Sequence, residues 1–169
     1  MRIVPALTHY LEMKTKPENL PDCFPEGFVV SRLPNPDPDK YLEIYRNIGE
    51  KWKWYNRLLV SREEIQKIIQ HPDTRIYILH HNGRIIGFAE LDMSVAGSVE
   101  IVYFGLSEAY IGKGLGKIFF GLVLQEAWNT HPERVWLHTC ELDHPAALDF
   151  YRKAGFREYH SEYVNQTIK

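Results

Sequence analysis

The 169 residues are 44% hydrophobic and 25% charged, a composition that fits one globular domain and excludes the disordered and fibrous classes. The formal net charge of -2 at pH 7 gives no general attraction to nucleic acid or to an anionic membrane. No apolar run of ~20 residues could cross a bilayer, and residues 1–10 lack the apolar core of a signal peptide. Together with two widely separated cysteines, this predicts a cytoplasmic protein without nucleic-acid or membrane partners.

The N-terminal third predicts two strands and a helix. The strands are expected from Thr8 to Met13 and from Phe28 to Leu33, with a proline-rich irregular connection between them. Asp37 and Pro38 are typical of a helix start, and Gly49 ends the apolar stripe that follows.

A second short helix and a hairpin come next. Ser61 and Glu64 have the spacing of a capping box, and the apolar stripe behind them ends at His71-Pro72. Strands from Arg75 to His80 and from Arg84 to Asp92 flank an Asn-Gly turn, which is a strong hairpin signal.

The C-terminal half alternates strand and helix. A strand from Val99 to Leu106 extends the antiparallel meander, an apolar helix runs from Gly114 to Trp128, and a strand from Val135 to Cys140 follows. This order predicts a right-handed parallel crossover. Asp143 is expected to cap a last helix that ends at Ala154, and a final strand runs from Phe156 to Val164.

Between the central strand and the apolar helix lies a loop with glycines at positions 112, 114 and 116 and lysines at 113 and 117. Glycine leaves backbone N–H groups uncovered, and a helix N-terminus attracts anions, so the loop predicts a phosphate or pyrophosphate site. The P-loop pattern fails because Lys117 stands where its second glycine belongs. The dinucleotide pattern fails because no glycine follows at the required distance of three residues.

The loop resembles the pyrophosphate loop of the GNAT acetyltransferase superfamily, Gln/Arg-x-x-Gly-x-Gly/Ala. Gly114 and Gly116 occupy the glycine positions, and Ile111 replaces Gln or Arg. A second family block, Asn-x-x-Ala-x-x-x-Tyr-x-x-x-Gly-Phe, is matched at Ala147, Tyr151, Gly155 and Phe156, with His144 in place of Asn. The similarity covers Ile76 to Phe156.

This resemblance implies an α/β (α+β) fold with a mixed sheet and helices on both faces. The sheet is expected to be an antiparallel meander that switches to parallel pairing after the central strand, where the two strands splay apart. A single acetyltransferase domain would span residues 1–169, with residues 1–60 on the acceptor side and residues 75–156 forming the acetyl-CoA-binding core. The sequence leaves the oligomeric state open, a homodimer included.

The resemblance also implies that acetyl-CoA is the cofactor. The main chain of Phe104, Gly105 and Leu106 would bond the pantetheine arm as an added strand does. The residues expected to bind the cofactor are Phe104, Gly105, Leu106, Ile111, Gly112, Lys113, Gly114, Leu115, Gly116, Lys117 and His144.

For catalysis, the family block assigns Tyr151 as the acid that protonates the departing thiolate, although its position also suits packing on the sheet. Glu100 is the first choice for the base, because apolar neighbours raise a carboxyl pKa toward the working range; a solvent-facing strand end is its alternative. Glu90, Asp92, Glu141 and His144 are reserves. A base acting through waters, or an amine that arrives neutral, would make none of these residues essential. No metal is expected, because no histidine or cysteine pair has ligand spacing.

The acceptor site is expected from the aromatic residues before the family blocks, Tyr45, Trp52, Trp54 and Tyr55. They would line a pocket for an apolar or cationic acceptor, or else cover the core. The prediction is an acetyl-CoA-dependent N-acetyltransferase that acts on a primary amine of a small molecule or peptide. The alternatives are a protein lysine or N-terminal acetyltransferase and a catalytically silent acyl-CoA-binding module.

Overall fold

A computed structural model describes residues 1–21 and 23–169, which form one seven-stranded mixed sheet with four α-helices. The strands are β1 (Arg2–Met13), β2 (Phe28–Arg32), β3 (Thr74–His81), β4 (Arg84–Val95), β5 (Ser98–Leu106), β6 (Arg134–Cys140) and β7 (Arg157–Ile168). The helices are α1 (Pro38–Gly49), α2 (Arg62–Ile69), α3 (Leu115–Trp128) and α4 (Ala147–Lys153). Within these described residues, no helix is long and apolar enough to cross a membrane.

The strand order in the sheet is β2-β3-β4-β5-β6-β1-β7. The β5–β6 pair is parallel, and the other neighbouring pairs are antiparallel. The predicted fold class is therefore confirmed, including the change of direction after the central strand. The first strand is longer than predicted and lies between β6 and β7, a position that no local pattern indicates.

The two faces of the sheet carry separate apolar clusters. On one face α1 and α2 pack against the middle of the sheet through Tyr41, Ile44, Tyr45, Ile48, Ile65, Ile69, Ile76, Ile78 and Phe88. On the other face α3 is buried along most of its length, with Phe119, Phe120, Val123, Leu124 and Ala127 against residues of the central strands. This arrangement confirms that helices cover both faces.

Two of the three predicted side-chain helix caps are confirmed. The Asp37 side chain accepts hydrogen bonds from the N–H groups of Asp39 and Lys40, and Ser61 and Glu64 form the capping box. The prediction that Asp143 caps the last helix is wrong, because that helix begins at Ala147 and has no side-chain cap. The Asp143 carboxylate is instead held at the end of β6, where it accepts from the Thr139 hydroxyl at 2.6 Å and from the Cys140 N–H at 3.0 Å.

Candidate active site

The site is a gap between the two parallel strands at the centre of the sheet. Pairing of β5 with β6 is limited to Ser98–Glu100 against Arg134–Trp136, and beyond that point the strands diverge. A cavity of about 510 Å³ fills the gap and extends from the start of α3 to the segment after α1. The splay expected from the resemblance is therefore present.

One end of the cavity is the glycine loop. Gly112 and Gly114 have φ values of +80° and +78°, and a Cβ added at either would meet nothing within 4 Å. Gly114 precedes the first residue of α3 and supplies no side-chain cap, so the first-turn N–H groups of that helix have no partner within the helix. Lys117 lines the cavity beside them. An open cradle of N–H groups with an adjacent cation fits a diphosphate.

The other residues of the predicted loop differ in whether they line the cavity. Ile111 and Gly116 line the cavity, whereas Lys113 and Leu115 do not. The Lys113 ammonium lies 5.6 Å from the centre of the Tyr110 ring, and Leu115 is buried in the core.

The wall along β5 offers its main chain. Phe104, Gly105 and Leu106 pair with β4 on one side, and on the other side they have no ladder partner among the described strands. Both apolar side chains pack into the core, Phe104 against the rings of Phe119, Phe120 and Phe150. Unpaired backbone groups facing a gap suit a ligand that carries amide groups.

The predicted acid lies on α4. The Tyr151 ring packs against Phe120, Phe150 and Phe156, and the residue lines the cavity. Its hydroxyl has no hydrogen bond to any residue that the structure describes. Burial raises the pKa of Tyr151 well above its ordinary value, so the phenol keeps its proton at neutral pH and can act as a donor.

The predicted base lies beside the cavity, next to His138. Glu100 is the last residue of β5 that pairs with β6, and its side chain is 21% exposed but is not among the lining residues. Burial, followed by the negative charge of Asp92, raises the pKa of Glu100 to about 7. A carboxyl group with a pKa in that range can accept a proton under physiological conditions.

A bulge in β5 decides which way Glu100 faces. Glu90 of β4 is paired with Tyr103, while the next residue, Leu91, is paired with Ile101, so Val102 is extra. Because side chains alternate along a strand, this insertion puts Glu100 and Tyr103 on the same face of the sheet.

The reserve carboxylates have other partners. Glu90 is 1% exposed and is held by the Tyr41 hydroxyl and the Arg57 guanidinium, both at 2.5 Å. Glu141 is exposed and accepts the Leu7 N–H at 2.9 Å. Asp92 accepts the Ser94 N–H at 2.8 Å, and none of the three carboxylates lines the cavity.

The second end of the cavity is aromatic. Of the four aromatic residues expected at the acceptor site, Tyr45, Trp52 and Trp54 line this end, together with Tyr103, whereas Tyr55 does not. Tyr55 is buried, with the Lys169 ammonium 5.7 Å from its ring centre. Gly49 permits the position of the Trp54 ring at this end of the cavity, because a Cβ on residue 49 would lie 2.3 Å from Cε3 of Trp54.

His144 connects the two ends. Its ring lies 4.7 Å from the Trp52 ring, and it lines the cavity. Its Nδ1 accepts the Ala146 N–H at 3.0 Å, so the proton of the neutral ring is on Nε2. That atom can donate to a bound ligand, and the cofactor-binding role of His144 stays a prediction.

Several lining residues were not predicted from the sequence. His138 and Asp143 are the chemically important ones, and Lys53, Asn56 and Gln166 are others. Asp143 accepts a hydrogen bond from the Trp54 indole at 3.3 Å, and so joins the aromatic end to the turn after β6. His138 belongs to no motif, and its alternation with Trp136 along a predicted strand is the one signal that could have drawn attention to it.

Comparison with solved structures shows the fold. An aminoglycoside acetyltransferase from an uncultured soil metagenomic sample, in complex with trehalose, is 19% identical with a TM-score of 0.67 over 85% of this chain and 97% of that one. PaiA N-acetyltransferase from Thermoplasma acidophilum, in complex with coenzyme A, is 18% identical with a TM-score of 0.57 over 84% and 99%. The ribosomal-protein-S18-alanine N-acetyltransferase from Escherichia coli is 19% identical with a TM-score of 0.62 over 79% of each chain.

Other structural neighbours are longer proteins, of which this chain spans 52 to 64%. No protein with a curated description matches the sequence. The model of the acetyltransferase (GNAT) family matches residues 38–156, and the family uses acetyl-CoA, for which the glycine loop is suited. On this match the chain belongs to the GNAT family of acetyltransferases.

Proposed function

We propose that the protein transfers an acetyl group from acetyl-CoA directly to a primary amine of a small molecule or peptide. The observation that carries this proposal is one continuous cavity that joins the glycine loop to the aromatic end along the open edge of β5. The loop suits a diphosphate, the strand edge suits an arm with amide groups, and the aromatic end suits an acceptor.

Acetyl-CoA supplies an acetyl group that is activated as a thioester. The residues of the chain then have three tasks. Tyr151 donates the proton that the leaving sulfur needs, and Glu100 accepts the proton that the amine must lose. N–H groups on the gap side of β5 stabilise the negative charge that develops on the acetyl oxygen.

The lining of the acceptor end supports a small or peptide amine. Tyr45, Trp52, Trp54 and Tyr103 form much of it, and the carboxylate of Asp143 is already occupied by three hydrogen bonds. A lysine on the surface of a folded protein would suit an open groove with free carboxylates better. Tyr151 lines the cavity and its hydroxyl has no hydrogen-bond partner among the described residues, and a silent binding module has no need for such a hydroxyl.

Two measurements test the proposal. Coenzyme A should raise the melting temperature, whereas NAD and ATP should not, because the loop fails both of their sequence patterns. Release of free thiol from acetyl-CoA should then depend on an added amine from a panel of amines, polyamines, amino acids and peptides. Equal stabilisation by ATP, or thiol release that is independent of every amine, would contradict the proposal.

A further inference from the structure

A histidine that lines the cavity lies next to the half-buried carboxyl group of Glu100. His138 lies on β6 opposite Tyr10 of β1, and its side chain is 44% exposed and lines the cavity. Its Nε2 lies 3.8 Å from Oε1 of Glu100. Since Glu100 does not line the cavity, a molecule in the cavity meets the imidazole before the carboxyl group.

The strand register brings the two residues together. Glu100 is paired with Trp136 in the last step of the parallel ladder, and His138 is two residues further on. Side chains two apart share a face of a strand, so His138 stands beside Glu100 at the first position where the gap has opened. His138 therefore lies where β5 and β6 begin to diverge, with Glu100 beside it.

We propose that His138 is the residue that meets the acceptor amine and that it passes the amine's proton to Glu100. This inference rests on the proposed function and changes the role of Glu100 within it. Glu100 becomes a positioning residue and the proton's resting place, while His138 is the catalytic base that touches the substrate.

The pKa shifts of His138 and Glu100 agree with proton transfer from the histidine to the carboxylate. Partial loss of hydration on the sheet lowers the pKa of His138, against a smaller opposing effect of the Asp143 charge, so its ring is neutral at pH 7 and can accept a proton. Burial and Asp92 raise the pKa of Glu100 to about 7, so the carboxylate is the stronger base of the pair. The groups that face the pair are Tyr10 on β1, Asp92 and Glu90 on β4, Arg57 after α1, Arg134 on β6 and Asp143 after β6.

The proton transfer balances as follows. The ammonium form of the acceptor gives one proton to His138 and then forms the C–N bond through the freed electron pair. The C–S bond breaks, Tyr151 protonates the sulfur, and the second proton of the nitrogen restores the phenol. His138 passes its proton to Glu100 and from there to solvent, for which the two side chains must approach by about 1 Å to reach hydrogen-bond distance.

The kinetic test compares H138Q and E100Q with H71Q over pH 6 to 10, using the best amine of the panel. His71 and Asp73 form a matched pair at 3.7 Å on the surface, remote from the cavity, so H71Q should behave as the wild type. In the wild type, kcat/KM should rise to a plateau through an apparent pKa near 7. In H138Q it should be about 10² to 10⁴ times lower at pH 7.5.

That deficit should shrink as the pH approaches the amine's own pKa of about 10, because a neutral amine needs no base. In E100Q the step near pH 7 should disappear. A H138Q deficit that is the same at every pH would reveal a structural role and overturn the inference. Full activity in H138Q with loss in E100Q would also overturn it, because Glu100 would then act directly.

A second readout needs no turnover. In the free protein with ¹³C-labelled histidine, the His138 ring resonance should titrate below its ordinary pKa and show a further inflection near pH 7, as Glu100 ionises. E100Q should remove that inflection and leave the His71 resonance unchanged. A persistent inflection in E100Q would refute the coupling. If no amine promotes thiol release by the wild type, the proposed function fails while this titration still tests the pair.

Discussion

Replacing Gly114 by alanine distinguishes an effect on cofactor binding from an effect on folding stability. Gly114 has φ of +78°, and an added Cβ would meet nothing within 4 Å, so the cost to folding comes from the backbone alone. An L-residue in this region costs about 1–2 kcal/mol, which in a chain of this size lowers the melting temperature by about 2–8 °C. Gly83, in the turn between β3 and β4, has the same φ and equally open surroundings, and G83A is therefore a matched control.

The two variants should differ in their response to coenzyme A. At a hundredfold excess over Kd, the ligand stabilises the wild type and G83A by about 2.7 kcal/mol, or about 5–10 °C. In G114A the methyl group projects into the space where the diphosphate is expected, so affinity should fall about tenfold or more and the thermal shift to about half or less. The assay is thermal melting with and without coenzyme A, with Kd from calorimetry. An equal thermal shift in G114A, G83A and the wild type would refute this account of the loop.

Three further predictions concern other groups. Y151F should lower turnover about 10² to 10⁴-fold with little change in Kd for acetyl-CoA, because it removes one proton donor; unchanged turnover would remove Tyr151 from the mechanism. R57M leaves the buried Glu90 carboxylate without its cation and should lower the free energy of unfolding by about 3–5 kcal/mol. R62M, which breaks the exposed ion pairs with Asp37 and Asp39, should cost under about 1 kcal/mol, and chemical denaturation would compare the two variants. E100Q should melt at a higher temperature than the wild type at pH 8 but not at pH 4. Because the folded-state pKa of Glu100 is about 7, the wild type loses stability as the pH rises from 4.5 to 7, by about 3 kcal/mol at 1.36 kcal/mol per pH unit. A lower melting temperature of E100Q at pH 8 would contradict this sign.

The sequence by itself determined the parts of the protein that depend on neighbouring residues. The capping box of Ser61 and Glu64, the Asn-Gly hairpin and the glycine loop at Gly112 and Gly114 are all recognisable because backbone stereochemistry acts over a few residues. The glycine spacing and the block around Tyr151 were likewise enough to indicate the family and its cofactor.

Tertiary structure alone decided the rest. The position of β1 between β6 and β7 and the contact of His138 with Glu100 join residues that are far apart in the chain. Asp143 has the residue type of a helix cap, yet its carboxylate binds Thr139 and Cys140 instead. Each outcome depends on strand register and on competition among partners, which arise from packing of the whole sheet and leave no local pattern in the sequence.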